Sequence, residues 1–443
     1  MPDQLSNPHC RADPSAEAPA TSGARSHTKN GQAELRYRAA DTMTASRTDS
    51  LDLTAVRRDT PGVLHRIHLN NAGAALMPAP VLQAVTDYLG RESEIGGYEA
   101  AAEQAGQLDD VYNSIAKLVG GHRDEIAVTE NATVAWQRAF YAMDFQPGDR
   151  ILTTSAEFAA NYIAFLQIAK RFDVTVDVIP NDDAGALDPT ALERMIDGKV
   201  RLIAITWIPT NGGLVNPAVE VGKIANAHGI PYLLDACQAV GQMPVDVDTL
   251  GCDMLTATGR KFLRAPRGTG FLYIRKTLLD RTEPAMLDLF GAKVVELGDY
   301  ELRPDARRFE TWETNYSTRL GLRAAVDYAL AIGLEAIEDR CRRLADLLRA
   351  HLAAIPGLQL RDLGSRRSAI ISFTLDGVEA ALVMQQLKEK QINVSVSPPS
   401  STPIDASARH LPPVVRVSPH YYNSEDEVET FVAAVRACAQ DVT

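Results

Sequence analysis

The sequence has no two cysteines at CxxC spacing; its five, Cys10, Cys237, Cys252, Cys341 and Cys438, are scattered over 443 residues. That excludes a disulfide framework and a structural zinc finger, so no metal is expected and a reducing, cytoplasmic setting is. No apolar run reaches the length of a membrane-spanning helix, so no membrane partner is expected. Positive charge is in deficit, with 45 basic against 57 acidic residues and a net charge of −12. A nucleic-acid partner is not expected of such a balance. The first fifty residues contain no Val, Ile, Phe or Trp. A segment so poor in apolar surface cannot offset its ordering entropy, and it lacks the apolar core of a secretory signal. Residues 1–60 are therefore expected to be a disordered tail.

What is present suits an enzyme. The composition is 45% apolar and 23% charged over a length sufficient for two cores. From residue 125 onward, strand-like runs (EIAVTE, RILTTSA, TVDVIP, RLIAITWI, PYLLDA, DMLTAT, GFLYIR) alternate with helical stretches near 131–142, 160–171, 189–196 and 217–228. Alternation at this spacing predicts an α/β fold with a mostly parallel sheet. One long helix over 318–355 is expected to lead into a smaller α+β unit, with strands in SAIISFTL, NVSVS and VVRVSPHYY. The expected domains are 61–317 and 318–443.

Two of these strands end in chemistry. YLLDACQAV places Asp235 and Gln238 after one, and LTATGRKF places Thr258, Arg260 and Lys261 after the next. Ligands in open α/β sheets sit at the carboxyl ends of strands, so an acid and a lysine 26 residues apart share one crevice. Pyridoxal 5'-phosphate needs that pair: a lysine to hold its aldehyde and a carboxylate for its pyridine nitrogen. A loop-capping Asp and a surface Lys are the plainer alternative. A phosphate also needs backbone N–H groups at a helix start, and TENATVAW offers Asn131, Ala132 and Thr133 there. An ordinary N-cap is compatible with that role.

The stretch LLDACQAVG followed by TGRKFLRAPRGTGFLYIR resembles the class V aminotransferase family of fold-type I pyridoxal-phosphate enzymes. The similarity runs from about residue 68 to the C-terminus. It implies a large cofactor-binding domain, a small C-terminal domain and a homodimer. It implies that Lys261 carries the cofactor, Asp235 pairs with its ring, and Gln238 reaches its phenolic oxygen. Thr258 and Arg260 would join the phosphate site, where an Arg supplies charge that a neutral His would not. Thr210 or Asn211 of WIPTNGGLVNP would close one side, with Thr210 favoured, although TNGG also reads as a plain turn. The segment HRIHLNNAGAALMP would line the substrate site, giving Asn71. Arg416 of VVRVSPHYYN matches the family's carboxylate-binding arginine, and a planar guanidinium suits that role. Tyr98, in EIGGYEAA, would face substrate. Its alternative is a core tyrosine at a helix break.

Departures from the family pattern shape the expected reaction. Relatives carry E-H-H-A-N, whereas this chain has Glu157-Phe158-Ala159-Ala160-Asn161; the stacking position falls on Ala159, so either Phe158 covers the cofactor ring or that face is open. The loop SVSPPSSTPIDASARHLPP contains no cysteine, where desulfurases carry a nucleophilic one. Persulfide-type desulfuration is thereby disfavoured. EIGGYEAA, RKxxxxPRG and RxSPH are similar to the carbon–sulfur lyases of ergothioneine synthesis. The expectation is β-elimination from an S-substituted cysteine, with epimerisation or transamination of a specialised amino acid as the alternative. A scaffold without activity is disfavoured because Lys261 and Asp235 are both intact.

Overall fold

The computed structural model describes residues 51–440, which lie within one compact unit. Its strands in chain order are β1 Ile67–His68, β2 Ile126–Thr129, β3 Arg150–Thr154, β4 Thr175–Ile179, β5 Val200–Thr206, β6 Tyr232–Asp235, β7 Met254–Thr258 and β8 Gly270–Ile274. They continue with β9 Ala292–Glu296, β10 Asp299–Leu302, β11 Leu358–Leu360, β12 Ile371–Leu375, β13 Ile392–Asn393, β14 Ser395–Ser397 and β15 Val414–Val417.

Seven strands form the central sheet in the order β2-β8-β7-β6-β5-β3-β4. Only β8 runs against its neighbours. Strands β6, β7 and β8 are buried at every position, which is why they read as continuous apolar runs rather than alternating ones. The order changes direction between β3 and β5, and such a switch point opens a crevice beyond the strand ends. Register then lines up the chemistry. Thr206, Asp235 and Thr256 form one row, and Thr258, Gly270 and Thr129 form another.

A second sheet, β11-β12-β15-β14, is wholly antiparallel. The N-terminal part of the described chain joins it: β1 pairs with β13, and Asn70 bridges Ser418 just past β15. Among the described residues no helix is long and apolar enough to cross a membrane.

Three expectations about elements need correction. Residues 1–50 lie outside the described residues, but 51–60, placed in the tail, are folded. The helix Leu53–Arg58 buries Val56, and Arg57 pairs with Glu427 at 2.8 Å. Leu51, Leu53 and Val56 supply the apolar surface that the preceding stretch lacks. The single long helix is two, Tyr316–Ile332 and Leu334–Ala353, separated at Gly333. Gly333 has φ of 95°, which no helix accommodates, while the apolar spacing continues past it. The cysteine-free loop is also not featureless. It holds the helix Pro403–Ala408, pinned by Asp405 N–H to the Ser155 carbonyl at 3.0 Å and by Asn211 Nδ2 to Thr402 Oγ1 at 2.8 Å.

Candidate active site

Asp235 closes β6 and is buried. Its Oδ1 accepts the Cys237 N–H at 3.0 Å, and its Oδ2 accepts the Asn161 amide at 2.9 Å. Lys261 follows β7 in a turn closed by Arg264 N–H to the Lys261 carbonyl at 2.9 Å. Burial lowers the Lys261 ammonium from its usual value; Cys237 and Asp235 oppose this, and Arg260 and Arg416 add to it. An amine held down in this way is available as a base closer to neutrality.

Cations outnumber anions around this lysine. Burial pushes Arg260 down, and its Nη1 donates to Thr258 Oγ1 at 3.0 Å. Burial also pushes Arg416 down to about 10, with the nearby Arg260 charge contributing. Arg416 donates to Thr210 Oγ1 at 2.5 Å, to the Thr210 carbonyl at 3.2 Å, to Ser395 Oγ at 3.2 Å and to Asn70 Oδ1 at 3.4 Å. Among the described residues no carboxylate forms an ion pair with Arg260, Lys261 or Arg416. Two neighbouring cations with no carboxylate paired to either favour an anionic ligand between them.

The helix Ala132–Tyr141 begins beside the same strand ends. Asn131 caps it, accepting Val134 N–H at 3.0 Å. The first-turn N–H groups of Ala132 and Thr133 have no partner inside their own helix. Gly270 allows the close approach, because a Cβ there would lie 2.6 Å from the Asn131 carbonyl carbon. Gln238 is buried with its Nε2 on the Ala72 carbonyl at 3.2 Å and its Oε1 without a partner. An orphaned buried acceptor needs a donor from outside the protein.

These features fit pyridoxal phosphate. Asp235 would meet its ring nitrogen, and Gln238 Oε1 its hydroxyl. Arg260, Thr258 and the helix start would take the phosphate, and Lys261 the aldehyde.

Not every expected residue joins the group. Asn71 is consumed by the fold: Nδ2 donates to the Ser418 carbonyl at 2.7 Å, and Oδ1 accepts the Tyr422 hydroxyl at 2.5 Å. Its neighbour Asn70 reaches Arg416 instead. Of the Thr210 and Asn211 pair, Thr210 faces Arg416, while Asn211 is spent on Thr402 and Ser397. Tyr98 lies on the helix Gly97–Glu103, 77% exposed, and no hydrogen bond ties it to the residues above. Phe158 caps the helix Ala159–Phe172 and is half-buried. Cys341 and Cys438 are fully buried. Burial pushes the Cys341 thiol up to about 12, and its Sγ lies 3.3 Å from His420 Nδ1.

Residues that sequence reasoning did not single out include Glu157 and Asn161. Asn161 holds Asp235, and Glu157 holds Asn161 at 2.8 Å. Their i, i+4 spacing at a helix start was the available signal.

A fold of this order, with a lysine and an acid at adjacent strand ends, defines a pyridoxal-phosphate enzyme of the fold-type I class. The family model for "Aminotransferase class-V" matches residues 67–431, and the chain belongs to that family. Its cofactor is pyridoxal phosphate. A protein of Methanothermobacter thermautotrophicus named probable cysteine desulfurase is 29% identical over 84% of this chain and 95% of its own length. Probable cysteine desulfurase 2 of Mycobacterium leprae is 31% identical over 87% and 96%. Among solved structures, the apo cysteine desulfurase of Thermococcus onnurineus NA1 superposes with a TM-score of 0.82 at 26% identity, covering 90% of this chain and all of the other.

These relatives overturn the functional expectation. Desulfurase chemistry was disfavoured, and β-elimination from an S-substituted cysteine preferred, because one loop has no cysteine. Proteins similar over most of the chain carry the desulfurase name. The inference failed because a missing acceptor on one loop removes only one destination for the sulfur. It says nothing against the lysine, acid and arginine gathered at the strand ends.

Proposed function

We propose that the chain is a pyridoxal-phosphate-dependent lyase that takes sulfur from L-cysteine, leaving L-alanine. Bound pyridoxal phosphate supplies an electron sink for charge developing at the substrate α-carbon. Arg416 grips the α-carboxylate, since two of its N–H groups present a planar fork. That grip orients the α-hydrogen toward Lys261, whose lowered proton affinity suits it to take and return a proton there. Asp235, fixed by Asn161 and Cys237 N–H, sets the ring nitrogen.

The sulfur needs a thiolate acceptor. The acceptor's sulfur bonds to substrate sulfur as the Cβ–S bond breaks, forming a persulfide; the bond's electron pair stays on the carbon side and is protonated to give alanine. The pinned segment 398–413 offers no cysteine, so this reading places the acceptor elsewhere. The observation that carries the reading is the convergence of Lys261, Asp235 and Arg416 in a chain similar to named desulfurases along most of its length. A homodimer in a reducing, cytoplasmic setting belongs to the same reading. The dimer is supported by exposed Met286, Leu289, Val294 and Leu297.

The test supplies the loaded enzyme with L-cysteine and a thiol such as dithiothreitol. Alanine and sulfide in equal amounts are expected. Pyruvate with ammonia, or no product, overturns the proposal. Light scattering reads the dimer.

A further inference from the structure

Glu157 is buried, and five donors converge on its carboxylate. Oε1 accepts from Thr206 Oγ1 at 2.5 Å, Asn161 Nδ2 at 2.8 Å and Phe158 N–H at 2.9 Å. Oε2 accepts from Thr206 N–H at 3.0 Å and Thr153 Oγ1 at 3.1 Å. The donors come from β3, β5 and its own helix, and all are neutral. Among the described residues no Lys, Arg or His pairs with it, and Arg260, Lys261 and Arg416 make no ion-pair contact with it. The like charge of Asp235 opposes its ionisation further. Burial raises the carboxyl to about 7, partly offset by the hydrogen bonds from Thr206 and Asn161. A lone buried carboxylate is costly, so a fold that needed only a staple here would be served by a neutral side chain.

The charge has one outlet. The Asn161 Nδ2 group donates both to Glu157 Oε1 and to Asp235 Oδ2. With both hydrogens engaged, that amide cannot turn away. We infer that Glu157 is a positioning residue for the cofactor: it locks the Asn161 amide on Asp235 and, when ionised, adds a second negative charge behind the ring nitrogen. It touches neither substrate nor cofactor. The inference rests on family membership and its cofactor, not on the desulfurase reading, so a failed alanine assay leaves it standing.

The experiment compares Glu157→Gln, Glu157→Asp and Thr153→Val. Three quantities are read: pyridoxal-phosphate affinity by absorbance titration, the pH midpoint of the bound cofactor's visible band, and melting of the cofactor-free protein. Glutamine turns an NH₂ toward donors, so Glu157→Gln is expected to bind the cofactor about tenfold more weakly. Its band midpoint should fall by about one unit, because a charge near the ring is gone. Glu157→Asp keeps the charge and should restore the midpoint, and Thr153→Val should leave it unchanged. Wild-type affinity and midpoint in Glu157→Gln, even with lower melting, would mean a structural staple and overturn the inference. If that variant does not fold, Asn161→Ala breaks the relay alone. It should show the same affinity loss, and unchanged affinity there refutes the role.

Discussion

The region that anchors the Lys261 turn, built around Arg264, and the region built around Arg416 both bury a guanidinium without a carboxylate. They do so in opposite ways. Arg264 sends Nε to the Leu76 carbonyl at 2.8 Å, Nη1 to the Tyr421 hydroxyl at 2.7 Å and Nη2 to Thr60 Oγ1 at 2.6 Å. Its guanidinium carbon lies 4.5 Å from the Tyr422 ring centre and 5.1 Å from that of Tyr421. It even holds φ at 63°, a left-handed conformation that a bulky side chain adopts only under tertiary control. Arg416 has one short contact, to Thr210, and three of 3.2–3.4 Å, with Arg260 repelling it. Arg264, held by three short bonds and stacked on tyrosine rings, is structural. Arg416, held mostly by long bonds beside a second cation, is placed where an anion is favoured.

That contrast can be broken experimentally. The largest effect is expected at Lys261, between the two regions. Lys261→Ala should lower turnover by about 10³-fold or more and abolish the visible band of the bound cofactor, read by stopped assay and absorbance. In the wild type, activity should rise with pH as Lys261 loses its proton and level off below its ordinary range, because its proton affinity is lowered. Next comes Arg264→Ala, expected to cost about 3 kcal/mol in urea unfolding, since three acceptors lose a charged donor and a cavity opens. An unchanged stability would erase the distinction drawn above.

Arg416→Lys should cost about 1 kcal/mol in unfolding, well below Arg264→Ala, since its long bonds are the ones lost. It should raise KM for the amino acid about 10- to 100-fold, because a point charge replaces a fork. If Arg416→Lys destabilised the protein as much as Arg264→Ala, both arginines would be structural. The smallest effect belongs to Tyr98→Ala. With the side chain exposed, stability should move by less than about 0.5 kcal/mol, and a large rise in KM would show that a second copy brings Tyr98 to a site.

The central sheet was legible because β5, β6 and β7 are continuous apolar runs, each followed by a polar strand end. The nearness of Asp235 and Lys261 was legible for the same reason: adjacent parallel strands deliver their ends to one edge. The Arg416 side was less so. Its partners Asn70, Thr210 and Ser395 lie far apart in sequence, and the difference between Asn70 and Asn71 depends on which one β15 and Tyr422 consume. The helical break at Gly333 hid inside an unbroken apolar rhythm. The helix Leu53–Arg58 hid beside a stretch too polar to fold.

By itself, the sequence determined the α/β class, the strand order of appearance, the placing of Lys261 and Asp235 just past two strands, and the lack of a cysteine between residues 395 and 413. Each is a local property of residue type and spacing. Tertiary structure decided which asparagine serves Arg416, which buried arginine is held tightly and which loosely beside another cation, and that Glu157 stands behind Asp235. Those depend on hydrogen-bond partners brought in from distant segments, and a donor's capacity is known only once its neighbours are in place.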